Sequence, residues 1–117
     1  MTKEMVLIPT DDQFDEKTDE LMLGECYWTI PMYPKDRDKL IGSKIYFYDK
    51  VYNRIILRAT ITGFEEREIE DEWSGQVSVK KTVLFQLEEG DKDFKLDLEN
   101  KGIEKRKQTR GWCYRFW

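Results

Sequence analysis

Histidine is absent from this 117-residue sequence, and cysteine occurs only twice. Without histidine the chain has no Ser-His-Asp or Cys-His nucleophilic apparatus and no zinc site built on imidazole. Cys26 and Cys113 are far apart and lack the spacing of a zinc site, so we expect two reduced thiols and no disulfide scaffold. These absences favour a binding function over catalysis.

Long apolar runs are also missing. No stretch approaches the roughly 18 apolar residues that cross a bilayer, and Met1–Pro9 holds too short an apolar run for a signal peptide. We therefore expect a cytoplasmic chain without a membrane partner. The acidic run Glu65–Glu72 lacks the spacing of a calcium loop, and the seven glycines form no phosphate-binding motif. We expect no metal and no cofactor.

Aromatic residues, in contrast, make up 14% of the chain, although 38% of it is charged. Disordered segments are poor in large aromatic side chains, so this content indicates a folded core, a binding surface, or both. The length is typical of one domain, and no linker or repeat interrupts it. The sequence therefore predicts a single domain over residues 1–117.

Charge is distributed in four alternating blocks. The net charge is −6 over residues 1–25, +4 over 26–63, −7 over 64–100 and +5 over 101–117. Two interpretations stay open at this point: a solvated surface with chance alternation, or two basic blocks that meet in space and form one positive face.

Hydrophobic periodicity predicts β-strands over Lys44–Tyr48, Arg54–Phe64, Gln76–Glu88 and Phe94–Leu98, and a last strand at Trp112–Trp117. Polar residues between the first two strands predict a hairpin. In this pattern Phe47 and Trp112 are the aromatics that we expect in the core. The segment Glu65–Trp73 is compatible with a loop or an extended strand end, with a helical turn as the alternative.

Helices are fewer. Asp11 or Asp12 can begin a helix that ends at Gly24, and a short helical turn follows Pro34 over Lys35–Leu40. Five or six strands with one or two short helices predict an α+β fold, a small mixed β-barrel that is closed or partly closed, because closure removes exposed strand edges.

The segment Gly42–Tyr48, followed by Ile56–Gly63, resembles the central hairpin of PUA-like domains, especially the ASCH and EVE branches and related small archaeal or bacterial domains. Those families have a strand with glycine, a polar residue and a Phe-Tyr pair, then a turn and a strand of small and apolar residues. Trp28–Pro31 is similar to the Trp and Pro that lead into that hairpin. Arg110–Tyr114 is similar to their closing strand.

This resemblance covers residues 26–64 best and the C-terminal tail next, and it is weak over 65–100. Ser43 stands where an Asp is common. The ASCH signature Gly-x-Lys-x-x-Glu-x-Arg is absent, so no catalytic residue is carried over. The resemblance implies a PUA-like pseudo-barrel that binds RNA or a modified base.

The basic tail 101–110 is the best nucleic-acid candidate, because lysine and arginine neutralise phosphates and aromatic rings stack on bases. We expect an exposed Trp28 or Trp73 to stack on a base. The residues expected to contact phosphates are Lys105, Arg106, Lys107 and Arg110, joined by Lys44 and Arg58.

Two other functions stay open. One is an ASCH-type amidohydrolase that acts on a modified nucleoside with a lysine and a carboxylate. The other is a protein-interaction module in which the acidic segments face a basic partner.

Overall fold

The computed structural model describes residues 3–9, 11–107 and 111–117, without the side chains of residues 11–14 and 17. It contains seven strands and two short helices. In chain order these are β1 (Met5–Ile8), α1 (Asp11–Leu23), β2 (Cys26–Ile30), α2 (Arg37–Leu40), β3 (Lys44–Asp49), β4 (Arg54–Glu70), β5 (Val77–Gln86), β6 (Leu96–Asp97) and β7 (Gly111–Tyr114). The protein is therefore mostly β.

The strands form one mixed sheet in the order β2-β5-β4-β3-β1-β7, and β6 pairs with β4 beside this path. Strand β1 runs parallel to β3, and the remaining pairs are antiparallel. No pairing joins β2 to β7 among the described residues, so the sheet is not closed into a barrel. The expected strand count was too low because it omitted β1 and β2.

Both faces of the central strands are buried. Ile45 and Phe47 of β3 enter a core on the first face, whereas Tyr46 and Tyr48 enter a second core on the opposite face. Strand β1 divides in the same way, and all four of its residues are buried. A strand covered on both sides has no polar alternation, which is why periodicity did not indicate β1.

Much of the predicted secondary structure is confirmed. The hairpin of β3 and β4 turns through Asn53, whose φ of 51° lies in the left-handed region that asparagine tolerates. The acidic segment after Phe64 is an extended strand end, because β4 continues to Glu70. Helix α1 ends before Gly24 as predicted, and neither described helix has the length and apolarity of a membrane span.

Candidate nucleic-acid interface

Basic and aromatic side chains alternate on the second face of the sheet. Side chains on a strand alternate between its two faces, so Lys44 and Tyr46 of β3 lie on this face, opposite Thr60 and Arg58 of β4. The loop before β6 and the C-terminus cover the same face. We call it the basic–aromatic face and define it by Lys44, Tyr46, Arg58, Phe94, Arg106, Arg115, Phe116 and Trp117.

The ring contacts are continuous across this face. The guanidinium of Arg58 lies 4.6 Å from the ring centroid of Phe94, and Phe94 is 5.5 Å from Tyr46. Tyr46 is in turn 5.0 Å from Trp117, over which the Arg115 guanidinium lies at 5.2 Å. Arginine over an aromatic face is a favourable cation–π arrangement, so these contacts hold the cations in place.

The row continues to the basic tail. Phe116 lies 5.0 Å from Trp117, and the Arg106 guanidinium lies 4.8 Å from the Phe116 ring. The backbone N–H of Arg106 donates to the hydroxyl of Tyr48 at 3.1 Å, which anchors the tail to β3. Three of the predicted phosphate-binding residues, Lys44, Arg58 and Arg106, thus belong to one face.

Asp91 organises one end of the face, and sequence analysis did not single it out. Its buried carboxylate accepts hydrogen bonds from Lys44 Nζ at 3.0 Å, Arg58 Nε at 2.8 Å and the Thr60 hydroxyl at 2.9 Å. The Glu88 N–H donates to the same carboxylate at 3.0 Å. Lys44 and Arg58 therefore already have a carboxylate partner, and the role predicted for them in phosphate binding stays a prediction.

These contacts also set the ionisation of Asp91. Burial alone raises a carboxyl pKa, but the hydrogen bonds from the Glu88 N–H, Lys44, Arg58 and Thr60 outweigh it, and the pKa of Asp91 is lowered. The carboxylate stays ionised at neutral pH and fixes the two cations on the face.

Glu4 has the corresponding role at the other end. It accepts from Arg115 Nη1 at 2.6 Å and from the Tyr46 hydroxyl at 3.3 Å. Burial, followed by the charge of Glu4, raises the pKa of Tyr46, so the phenol stays a neutral donor.

One donor on the face has no partner. The indole N–H of Trp117 is buried and has no hydrogen-bond acceptor among the described residues. A buried donor without an acceptor costs about 1–3 kcal/mol, and most such groups in proteins are paired. The Arg115 guanidinium lies 5.2 Å from the centroid of the same ring, and the Arg115 side chain is 41% exposed.

Comparisons with protein-family models, with curated proteins and with solved structures found no match to this chain. The described residues also contain no group of three or more His, Cys, Asp or Glu side chains that could hold a metal ion.

The rest of the predicted phosphate-binding tail lies next to the β3–β4 turn. Lys105 Nζ donates to the Val51 carbonyl at 3.4 Å, and Lys107 is exposed. A groove of about 310 Å³ separates the tail from this turn and includes the exposed Tyr52. Arg110 lies outside the described residues.

The two predicted stacking residues lie elsewhere. Trp28 is only 8% exposed and packs in the first core, 6.4 Å from Phe47, so the expectation of an exposed Trp28 is wrong. Trp28 lies within β2, a strand that hydrophobic periodicity did not indicate. Trp73 is exposed as expected, yet it follows the end of β4, whereas Lys105 contacts the turn that precedes β4. The structure does not bring Trp73 to the basic tail.

The prediction of stacking residues did not single out the aromatics that do lie beside the cations. A strand over Trp112–Trp117 would place Phe116 on the same face as Trp112, but β7 ends at Tyr114, and Phe116 joins Trp117 in the second core. Trp112 packs against the first core, as expected, and is partly buried. The one signal available in the sequence was that Arg115 directly precedes the two C-terminal aromatics, Phe116 and Trp117.

Proposed function

We propose that this chain is a non-catalytic module that binds single-stranded RNA or a modified nucleotide on its basic–aromatic face. The observation that supports this most is the buried Trp117 N–H, which lacks an acceptor and lies in a row of arginines and aromatic rings. A carbonyl of a base or a phosphate oxygen would satisfy that donor. Stacking on an aromatic ring contributes about 1–3 kcal/mol per base.

Two further features support the choice of ligand. The tail adds the exposed Lys105 and Lys107 beside the face, and both can neutralise phosphates without reading sequence. Arginine binds phosphate through a planar set of donors, and the guanidinium of Arg115 keeps donors beyond the one that Glu4 occupies.

The proposal extends to the curvature of the sheet and to the cellular location of the protein. We propose a partly closed, PUA-like curvature, supported by the register shifts between Phe47 and Tyr48 and between Ile61 and Gly63, because such shifts bend strands. An experimental structure with a flat sheet would contradict it. Two free cysteines, Cys26 and Cys113, support a reducing, cytoplasmic location.

The test is binding of a fluorescently labelled single-stranded RNA, followed by anisotropy at 50 and 200 mM salt. With four phosphate contacts, affinity should fall about 50-fold over this range. Trp117→Phe keeps a six-membered aromatic ring but removes the N–H together with the five-membered ring, so binding should weaken about 5-fold. Lys105→Ala with Lys107→Ala should weaken binding and reduce the salt dependence.

The matched control is Lys35→Ala with Lys39→Ala, since both lysines are exposed and precede β3. This variant should bind like the wild type. Absence of RNA binding at 50 mM salt contradicts the function, and equal losses in the two double variants contradict the residue assignment.

The amidohydrolase alternative also has an observation in its favour. Lys44 Nζ donates to the Thr60 hydroxyl at 2.7 Å, and that hydroxyl donates to Asp91, so a lysine, a hydroxyl and a carboxylate are connected. A base next to a hydroxyl is the arrangement that activates a nucleophile. Thr60 is only 3% exposed, which favours binding over hydrolysis. If the wild type turned over an acylated nucleoside and Thr60→Val abolished that turnover, hydrolysis would be favoured over binding.

A further inference from the structure

The distal half of the β4–β5 hairpin extends beyond the strands that flank it. Pairing of β3 with β4 ends at Thr60, and pairing of β2 with β5 ends at Lys81. The backbone of Ile61 still hydrogen-bonds to Gly42 and Ser43, and beyond Ile61 the described chain pairs β4 only with β5. We call residues 65–81 the arm. All of its residues are exposed except the partly buried Ile69.

The arm has a defined conformation. Its strands pair in continuous register from Glu65 opposite Thr82 to Glu70 opposite Val77. At the tip, the Asp71 carboxylate accepts from the Trp73 N–H at 2.8 Å, and the Gly75 N–H donates to the Asp71 carbonyl at 2.8 Å. Gly75 has a φ of 70°, which glycine adopts without strain. These hydrogen bonds define the turn that carries Trp73.

The arm also exposes apolar surface that the rest of the sheet, which we call the body, does not cover. Trp73 is 97% exposed, and Val77 and Val79 are 59% and 60% exposed. The valines lie opposite Glu70 and Glu68, so they share one face of the ribbon with these acids. A two-stranded ribbon is marginal in water and gains stability from a third strand. An exposed, unpaired strand edge is a template for such pairing.

The charge of the arm selects the partner. Glu66, Glu68 and Glu70 occupy alternate positions and so lie on one face, and none of them makes an ion pair among the described residues. Asp71 and Glu72 add two more acids next to Trp73. Carboxylates repel phosphates and anionic lipid surfaces, whereas they attract lysine and arginine. The arm holds six acids against three basic residues, and Lys81 lies opposite Glu66 at its base, so the excess of negative charge is at Glu68, Glu70 and the tip. This part of the arm is complementary to a basic polypeptide.

We propose that the arm captures an extended, basic segment of a partner protein, which adds as a strand to the free edge of β4. Side chains directly opposite each other on neighbouring strands lie about 4.5–5.5 Å apart. Lysines or arginines at alternate positions of the added strand would then pair with Glu66, Glu68 and Glu70. Main-chain hydrogen bonds supply affinity, and the alternating charges supply specificity. Trp73 anchors the end of the segment through its exposed ring.

The probe is a fluorescein-labelled octapeptide in which lysine alternates with valine, measured by anisotropy. We expect the chain to bind it and to lose affinity at least 10-fold in the Glu68→Gln, Glu70→Gln variant. Trp73→Ala should weaken binding about 5-fold. The matched control, Glu89→Gln with Glu99→Gln, removes two exposed acids outside the arm and should leave the affinity for the peptide unchanged.

Three additional probes test the binding mode. An octapeptide with four lysines followed by four valines, which has the same composition, should bind more weakly. So should an alternating peptide with N-methyl groups on every second residue, because they block strand addition. An alternating Glu-Val peptide should not bind.

Several results would overturn the proposal. These are no binding of the lysine–valine peptide, equal affinity for the blocked and unblocked peptides, and equal losses in the arm and control variants. Self-association of the chain that Trp73→Ala abolishes, without peptide binding, would instead make the arm an interface between copies. RNA binding should be unchanged in the arm variants, so failure of this proposal is distinguishable from failure of the proposed function.

Discussion

The two halves of strand β4 share one backbone but differ in what surrounds them. From Arg54 to Thr60 the strand pairs with β3 on one side, and on the other side it meets β6 at Arg54 and Ile55 and β5 from Thr60 onward. In this half Ile55, Leu57, Ala59 and Ile61 are buried. From Glu65 to Glu70 it has only β5 beside it, and five of its six residues are exposed. Extended conformation alone therefore does not determine burial. The number of neighbouring strands and the helices that cover them decide whether a segment stabilises the fold or is available for binding.

The largest expected difference between the body and the arm is in packing. Phe47 is fully buried against Trp28 and Phe85, so Phe47→Ala should lower the free energy of unfolding by about 3–5 kcal/mol. Val79→Ala, on the exposed arm, should change it by less than about 0.5 kcal/mol. Urea unfolding measures both. If Phe47→Ala does not fold, Ile45→Val, at about 1 kcal/mol, repeats the test. Similar losses in body and arm would contradict the comparison.

A smaller difference should separate two aspartates. Asp91→Asn removes the charge that Lys44 and Arg58 share, and removal of one partner from a buried pair costs about 3–5 kcal/mol. The two basic side chains are 26% and 24% exposed, so solvent screening reduces the expected loss to about 2 kcal/mol. Asp71→Asn on the arm should be nearly neutral, because asparagine also accepts hydrogen bonds in such turns. Chemical unfolding at pH 7 compares them, and equal losses would disprove the distinction.

The smallest expected effect is the pH dependence that Asp91 contributes. Its folded-state pKa is lowered, so this stabilisation is present above the unfolded pKa, near 3.9, and is lost as pH falls through the lower folded value. The gap in unfolding free energy between wild type and Asp91→Asn should therefore narrow below about pH 4. Unfolding curves from pH 7 to pH 2.5 test this. A constant gap would show that the carboxylate acts through packing and not through its charge.

How far the fold was predictable depended on whether a segment has one buried face or two. Strand β5 and the buried half of β4 carry an alternating pattern, and both were predicted. Strand β1 is buried on both faces, and its four apolar residues carry no period to recognise. Trp28 was misplaced for a different reason, because its strand does have a single buried face, formed by Cys26, Trp28 and Ile30. It lies in β2, whose sequence Cys-Tyr-Trp-Thr-Ile was not recognised as a strand.

The type of candidate site was predictable from the sequence, but only some of the residues that form it were. The charge count identified the basic blocks that hold Lys44, Arg58 and Arg106, and these three do lie on one face. The count could not identify Asp91, which is 47 residues from Lys44 in the chain and 33 from Arg58. Contacts at such separations depend on the register of β3 against β4 and on the path of the loop before β6.

By itself the sequence determined the chemistry that this protein has available. It excludes imidazole, gives its two cysteines neither the spacing of a zinc site nor that of a disulfide scaffold, and supplies blocks of opposite charge with many aromatic rings. Only the tertiary structure decided which rings lie beside which cations, and which acids remain without a basic partner on the arm. The physical reason is that composition and local periodicity depend on neighbours along the chain. Burial and ion pairing depend on residues that only the assembled sheet brings together.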